Sequence, residues 1–190
     1  MSRQTVLLHT CCGPCASACV ERLIGLNCEP VLYYSNSNIN TPEEFKKRLE
    51  GVRIVAEKFR VEVLTDSYDH DVWPGQAAEY AGETEGGRRC TGCFMYSLTR
   101  TAETARDMGL KIFSTTLTVS PYKNSGILFD LGKNIAGQYS MEFGPWNFKK
   151  ENGYLRSLEL SRELGLYRQN FCGCEFSFAS GSLQDKTFHG

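Results

Sequence analysis

The chain has 190 residues, with 21 Lys and Arg against 22 Asp and Glu, 41% hydrophobic residues and 23% charged residues. This length and composition predict one well-buried globular domain and exclude a disordered chain. A formal net charge of -1 excludes a surface that coats nucleic acid generally, because such binding needs many cations set against phosphates.

Residues 5–9 read as a buried strand, and Pro14 then suits the first turn of a helix, where its missing N–H costs nothing. The stretch CCGPC therefore sits at the carboxyl end of a strand. Residues 30–34 form a second predicted strand, followed by the polar loop SNSNIN. Thr41-Pro42-Glu43-Glu44 is a capping box opening a helix whose Phe45, Leu49, Val52, Ala56 and Phe59 share one face. A third strand is predicted over residues 61–64, and a weakly patterned acidic and Gly-rich stretch over 68–87 leads to RRCTGC. From Phe94, Leu98, Ala102 and Ala105 keep helical spacing until Gly109 stops the helix. Residues 111–116 read as a strand. Ser120-Pro121 then forms an N-cap and first-turn pair for a helix bearing Ile127, Leu128, Leu131 and Ile135. A last helix is predicted over residues 157–164, ending at Gly165 before the tail YRQNFCGCEFS.

Strands alternating with helices predict an α/β fold, a single domain with a mostly parallel sheet flanked by helices. Ligands of such sheets bind beyond the carboxyl ends of the strands. CCGPC and the TTLTVSPYK turn are expected on that edge. No apolar run approaches the span of a bilayer and residues 6–8 are too short for a signal peptide, so a cytoplasmic location is expected.

Nine cysteines are the unusual feature. In a cytosolic chain of this size, clustered thiols point to metal or redox chemistry rather than to disulfides. Seven fall in three tight groups: Cys11, Cys12 and Cys15; Cys90 and Cys93; Cys172 and Cys174. Cys19 and Cys28 stand apart and read as small buried residues. Two of the groups open helices, where the positive end of the macrodipole stabilises thiolates. A structural zinc or an iron-sulfur cluster takes four such ligands, so one cluster plus a three-thiolate metal with an open position accounts for all seven.

The segments LLHTCCGPCAS, EGGRRCTGCF, TTLTVSPYKN and YRQNFCGCEFS, in this order and spacing, resemble those of the cobalamin-independent epoxyqueuosine reductases, the QueH family, over about residues 6–177. The resemblance implies a HUP fold, similar to the adenine-nucleotide alpha-hydrolase-like proteins but with cysteines in place of the ATP-binding loop. It also implies residues 1–190 as one iron-sulfur reductase domain that deoxygenates the epoxide of the wobble base of tRNA to queuosine. The expected cofactors are a 4Fe-4S cluster and an additional mononuclear iron. The expected partners are tRNA bearing epoxyqueuosine and an electron donor of unspecified kind. Some members carry aspartate at the place of Cys15, which implies Cys15 as a ligand of the separate iron. On this footing the cluster is assigned to Cys11, Cys12, Cys90 and Cys93, and the second iron to Cys15, Cys172 and Cys174. An aspartate usually precedes Phe-Lys in the family, where this chain has Asn147.

Deoxygenation of an epoxide consumes two electrons and two protons. His9, Tyr122 and Lys123 are the candidate proton donors, although the simpler reading of His9 is a hydrogen-bonded core histidine. Arg88, Arg89, Lys123, Lys149, Lys150 and Arg168 adjoin the motif segments and are the candidate substrate and phosphate contacts. Trp73, Tyr96 and Trp146 are candidates to stack the splayed base. Asp66, Asp69 and Asp71 read as a solvated loop. Two rival functions stay open: a dithiol oxidoreductase using Cys90 and Cys93, and a zinc-stabilised RNA-binding module.

Overall fold

A computed structural model describes residues 3–73 and 80–179. Residues 74–79 of the weakly patterned stretch, and the last part of the expected 1–190 domain, lie outside the described residues. The strands are β1 (Gln4–His9), β2 (Cys28–Tyr34), β3 (Val63–Thr65), β4 (Ile112–Thr115) and β5 (Glu142–Phe143). The helices are α1 (Gly13–Gly25), α2 (Pro42–Phe59), α3 (Arg88–Asp107), α4 (Ser125–Gln138), α5 (Gly153–Glu163) and α6 (Glu175–Ala179).

The five strands form one sheet in the order β3-β2-β1-β4-β5, and every pairing is parallel. β1 is central and buried on both faces, which is why it reads as an unbroken apolar run. Val6 and Leu8 pack on one side with Ala16, Val20 and Leu49 of α1 and α2, while Leu7 packs on the other with Leu98 and Leu128 of α3 and α4. Truncating Leu7 or Leu8 to Ala would cost about 2–5 kcal/mol.

From β1 the chain winds to β2 and β3 on one side, then returns to β4 and β5 on the other. The order therefore reverses between β1 and β4, and a crevice opens there at the strands' carboxyl ends. Gly13 lets α1 enter this crevice against α2, since a Cβ at that position would collide with the Gly51 carbonyl. No helix among the described residues is long and apolar enough to cross a membrane.

Two local expectations need correction. The helix expected after Ser120-Pro121 begins only at Ser125, because Asn124 Oδ1 caps it by accepting from the N–H groups of Gly126 and Ile127 at 2.9 and 3.3 Å. Tyr122 and Lys123 thus lie in the turn before α4, after a short 3-10 segment, Thr116–Val119. The capping box at Thr41 is only half formed. Thr41 Oγ1 accepts from Glu44 N–H at 3.2 Å, but the Glu44 carboxylate turns to Arg48 instead.

Candidate metal centre

Cys11 leaves β1, Cys12 is the N-cap of α1, and Cys15 lies in the first turn of that helix. One tight turn therefore brings the three sulfurs within 4.8 Å of one another. The Sγ atoms of Cys11 and Cys12 are 3.8 Å apart. Thr116, just beyond β4, joins the group from the opposite side of the crevice. Its hydroxyl accepts from the Cys11 N–H at 3.4 Å and meets the Cys11 sulfur at 3.6 Å.

In this cluster the thiol of Cys12 is held well below its ordinary range, first by the hydrogen bond from Cys11 and then by that from Cys15. Cys11 is pushed up to about 12, mainly because it donates to Cys12, and Cys15 is pushed up by both neighbours. Cys12 is thus the favoured thiolate of the triad, with its two neighbours as S–H donors. Replacing those protons with a thiophilic cation matches this donor set, and the positive end of α1 favours the thiolate form that would bind it.

The other four grouped thiols meet next door. Cys90 and Cys93 come from the first turns of α3, and Cys172 and Cys174 from the tail before α6. All four line a small cavity with Trp73 and Arg89. Cys93 and Cys172 also line the larger crevice cavity, of about 330 Å³, into which the triad opens. The two thiol groups therefore adjoin. Burial raises the Cys90, Cys93 and Cys174 thiols. Lys123 Nζ donates to the Cys172 sulfur at 3.7 Å. Burial works against its charge, but electrostatic attraction to the neighbouring cysteine sulfurs, Cys172 first and then Cys11, Cys93 and Cys90, raises its pKa and holds it protonated.

The model of the family described as epoxyqueuosine reductase QueH matches residues 6–180. The chain belongs to the QueH family. It is 38% identical to the epoxyqueuosine reductase QueH of Thermotoga maritima over 91% of this chain and 90% of that protein. It is also 35% identical to the Streptococcus pyogenes serotype M1 protein of the same name, over 92% of this chain and 71% of the relative. With the Acinetobacter baylyi protein of that name the identity is 34%, over 90% and 79% respectively.

Against this QueH background the remaining candidates separate by position. His9 lines the cavity but is buried between strands. Its Nε2–H donates to the Ser35 carbonyl at 3.1 Å, and Nδ1 accepts from the Thr115 hydroxyl at 2.9 Å. Burial lowers its pKa to about 4, so it is a neutral strut with both nitrogens engaged. Tyr122 and Arg168 are exposed at the cavity mouth, where Arg168 also donates to Ser161 Oγ. Lys149 Nζ donates to the Lys123 carbonyl at 2.6 Å, which fixes the turn carrying Lys123. Lys150 is exposed. Arg88 is exposed and paired with Glu83 at 2.6 Å. Arg89 differs from the expected surface position. It is buried, donates to the Ala81 and Glu83 carbonyls and lies over the Phe176 ring.

The stacking expectation also shifts. Trp73 is buried against Cys174, and Trp146 stacks on Phe148 over Gly144. The aromatic walls of the cavity are instead Phe94, Tyr122, Tyr154 and Phe171. Asn147 hydrogen-bonds with Ser125 rather than lining the cavity. Asp66 is not a solvated carboxylate, since it accepts from both Ser35 and Arg100. Cys19 lies fully buried in the core, and Cys28 is buried with its thiol donating to the Leu26 carbonyl.

Three contributors escaped the sequence reading: Thr116, Gln169 and Arg48. Gln169 lines the cavity and helps to lower the Cys12 thiol pKa. Thr116 and Gln169 fall within the motif segments TTLTVSPYKN and YRQNFCGCEFS, whereas the signal of Arg48 is its place on α2. Arg48 stands three residues from Phe45 and four from Val52, a charge set on an apolar helical stripe.

Proposed function

We propose that this chain is an epoxyqueuosine reductase, a single cytoplasmic domain that converts epoxyqueuosine at the wobble position of tRNA to queuosine. The observation that carries the reading is the convergence of seven thiols on two adjoining cavities at the sheet's switch point, in a member of a family whose named relatives are epoxyqueuosine reductases. Overall, the epoxide takes up two electrons and two protons, both C–O bonds break, a carbon–carbon double bond forms, and the oxygen leaves as water.

We assign Cys11, Cys12, Cys15, Cys90, Cys93, Cys172 and Cys174 as the ligands of a 4Fe-4S cluster and an additional iron. The all-sulfur donor set, half buried and flanked by Lys123, fits such a group. When bound, it supplies single electrons and a Lewis-acidic iron.

The chain's own side chains then do the rest. Lys123, held charged beside the cysteine sulfurs, is our candidate to meet charge developing on the departing oxygen. Tyr122, at the mouth, is the candidate proton donor from the solvent side, and His9 holds the ends of β1, β2 and β4 together beneath the site. A wobble nucleotide is single-stranded and can be turned out to lie against Tyr122, Tyr154 or Phe171. Arg168, Lys150 and Arg88 are assigned to its flanking phosphates.

The test combines anaerobically reconstituted protein, a chemical reductant and epoxyqueuosine-containing tRNA, with mass analysis of the digested nucleosides. Queuosine is the expected product. Unchanged epoxyqueuosine in the presence of iron-loaded protein would refute the assignment.

A further inference from the structure

We infer that Arg48 is a positioning residue: with Glu44 it clamps the backbone of residues 171 and 172 and so sets where the tail thiols stand over the cavity. The guanidinium is almost completely buried on α2. Its Nε donates to Glu44 Oε1 at 2.7 Å, Nη1 to the Cys172 carbonyl at 2.8 Å, and Nη2 to the Phe171 carbonyl at 3.4 Å. The same group lies 5.0 Å over the Phe171 ring. Glu44 is fixed in turn. The Tyr167 hydroxyl donates to both its oxygens at 3.2 and 3.3 Å, and its own N–H is capped by Thr41. The Asn40 N–H holds the Gly173 carbonyl from the other side at 2.9 Å.

Gly173 is what permits so close a clamp. Its φ is +121°, which disfavours any side chain, and a Cβ there would lie 3.1 Å and 3.2 Å from the two terminal nitrogens of Arg48. Those nitrogens have nowhere to retreat, being tied to the carbonyls of Cys172 and Phe171 while Nε is tied to Glu44. A planar fork that holds two carbonyls and one carboxylate is a task a lysine ammonium cannot perform. Arg48 also lines the crevice cavity, but all three of its guanidinium nitrogens are engaged by Glu44 and the tail carbonyls, so the geometry assigns it to the position of Cys172 and Cys174.

The importance of that position rests on the proposed function, but its test does not. The full-length protein, purified without oxygen, is treated with iodoacetamide, and each cysteine is followed by peptide mass spectrometry. In Arg48→Gln, Cys172 and Cys174 are expected to label about tenfold faster or more than in the wild type. Cys11, Cys12 and Cys15 should keep their wild-type rates, and the core residue Cys19 should stay unlabelled. Arg48→Lys should behave like Arg48→Gln, and Gly173→Ala should produce the same selective acceleration from the tail's side. Unchanged tail rates, wild-type labelling in Arg48→Lys, or acceleration of every thiol including Cys19 would each overturn the clamp. Failure of the reductase reading looks different: the wild-type protein leaves epoxyqueuosine intact while these labelling patterns hold.

Discussion

The two thiol groups are built in opposite ways. Cys11, Cys12 and Cys15 come from a single turn between the central strand and the first helix, so local geometry alone gathers their sulfurs. Cys90, Cys93, Cys172 and Cys174 come from a helix start and a tail about 80 residues apart, and they meet only because tertiary contacts bring that tail back across the crevice. The difference teaches that the first group is as robust as the sheet. The second depends on a few side chains, among them Arg48, Lys123 and the Asp66–Arg100 pair that fastens α3 to the loop after β3.

The largest effects test whether both groups serve one centre. Cys12→Ser and Cys174→Ser are each expected to lower conversion of epoxyqueuosine by about 100-fold or more, read by nucleoside mass analysis. Full activity in either variant would detach that group from the chemistry. Next in size is Lys123→Gln, which removes the half-buried ammonium that donates to the Cys172 sulfur. Turnover or bound iron should fall about 10- to 100-fold, and iron content per chain separates loss of the metal from loss of catalysis.

A smaller effect concerns the fastening of α3. Asp66 is strained upward by burial, yet hydrogen bonds from Arg100 and Ser35 win and hold its carboxyl below the ordinary range. Asp66→Asn should therefore cost about 1–3 kcal/mol in urea unfolding at neutral pH. Because the folded-state pKa is the lower one, this contribution is fully present above the unfolded value of about 3.9 and disappears as pH falls through the folded one. The gap between wild type and variant should close in acid. The smallest effect is expected at the mouth, where Arg168→Ala should weaken tRNA binding a few-fold and reduce the slope of log affinity against log salt by about 1.

Much of this architecture was readable from residue order. The apolar run of β1, the Thr41 cap and the Gly109 stop each carry a local physical cause, and the observed elements follow them. Local rules failed where two signals competed. Ser120-Pro121 has the chemistry of a helix start, but Ser120 ends the 3-10 segment after β4, Pro121 lies in the turn that follows, and the cap falls to Asn124. β5 has only two residues, too few for any periodicity. At the site, spacing alone marked the seven thiols, whereas the inward turn of Arg89 and the retreat of Trp73 beneath Cys174 depend on packing that no short window of sequence contains.

The most direct test of a shared metal-sulfur centre is the iron, zinc and acid-labile sulfide content of the protein reconstituted without oxygen. The account predicts about five irons and four sulfides per chain, and a brown protein. A colourless protein holding stoichiometric zinc and no labile sulfide would contradict it.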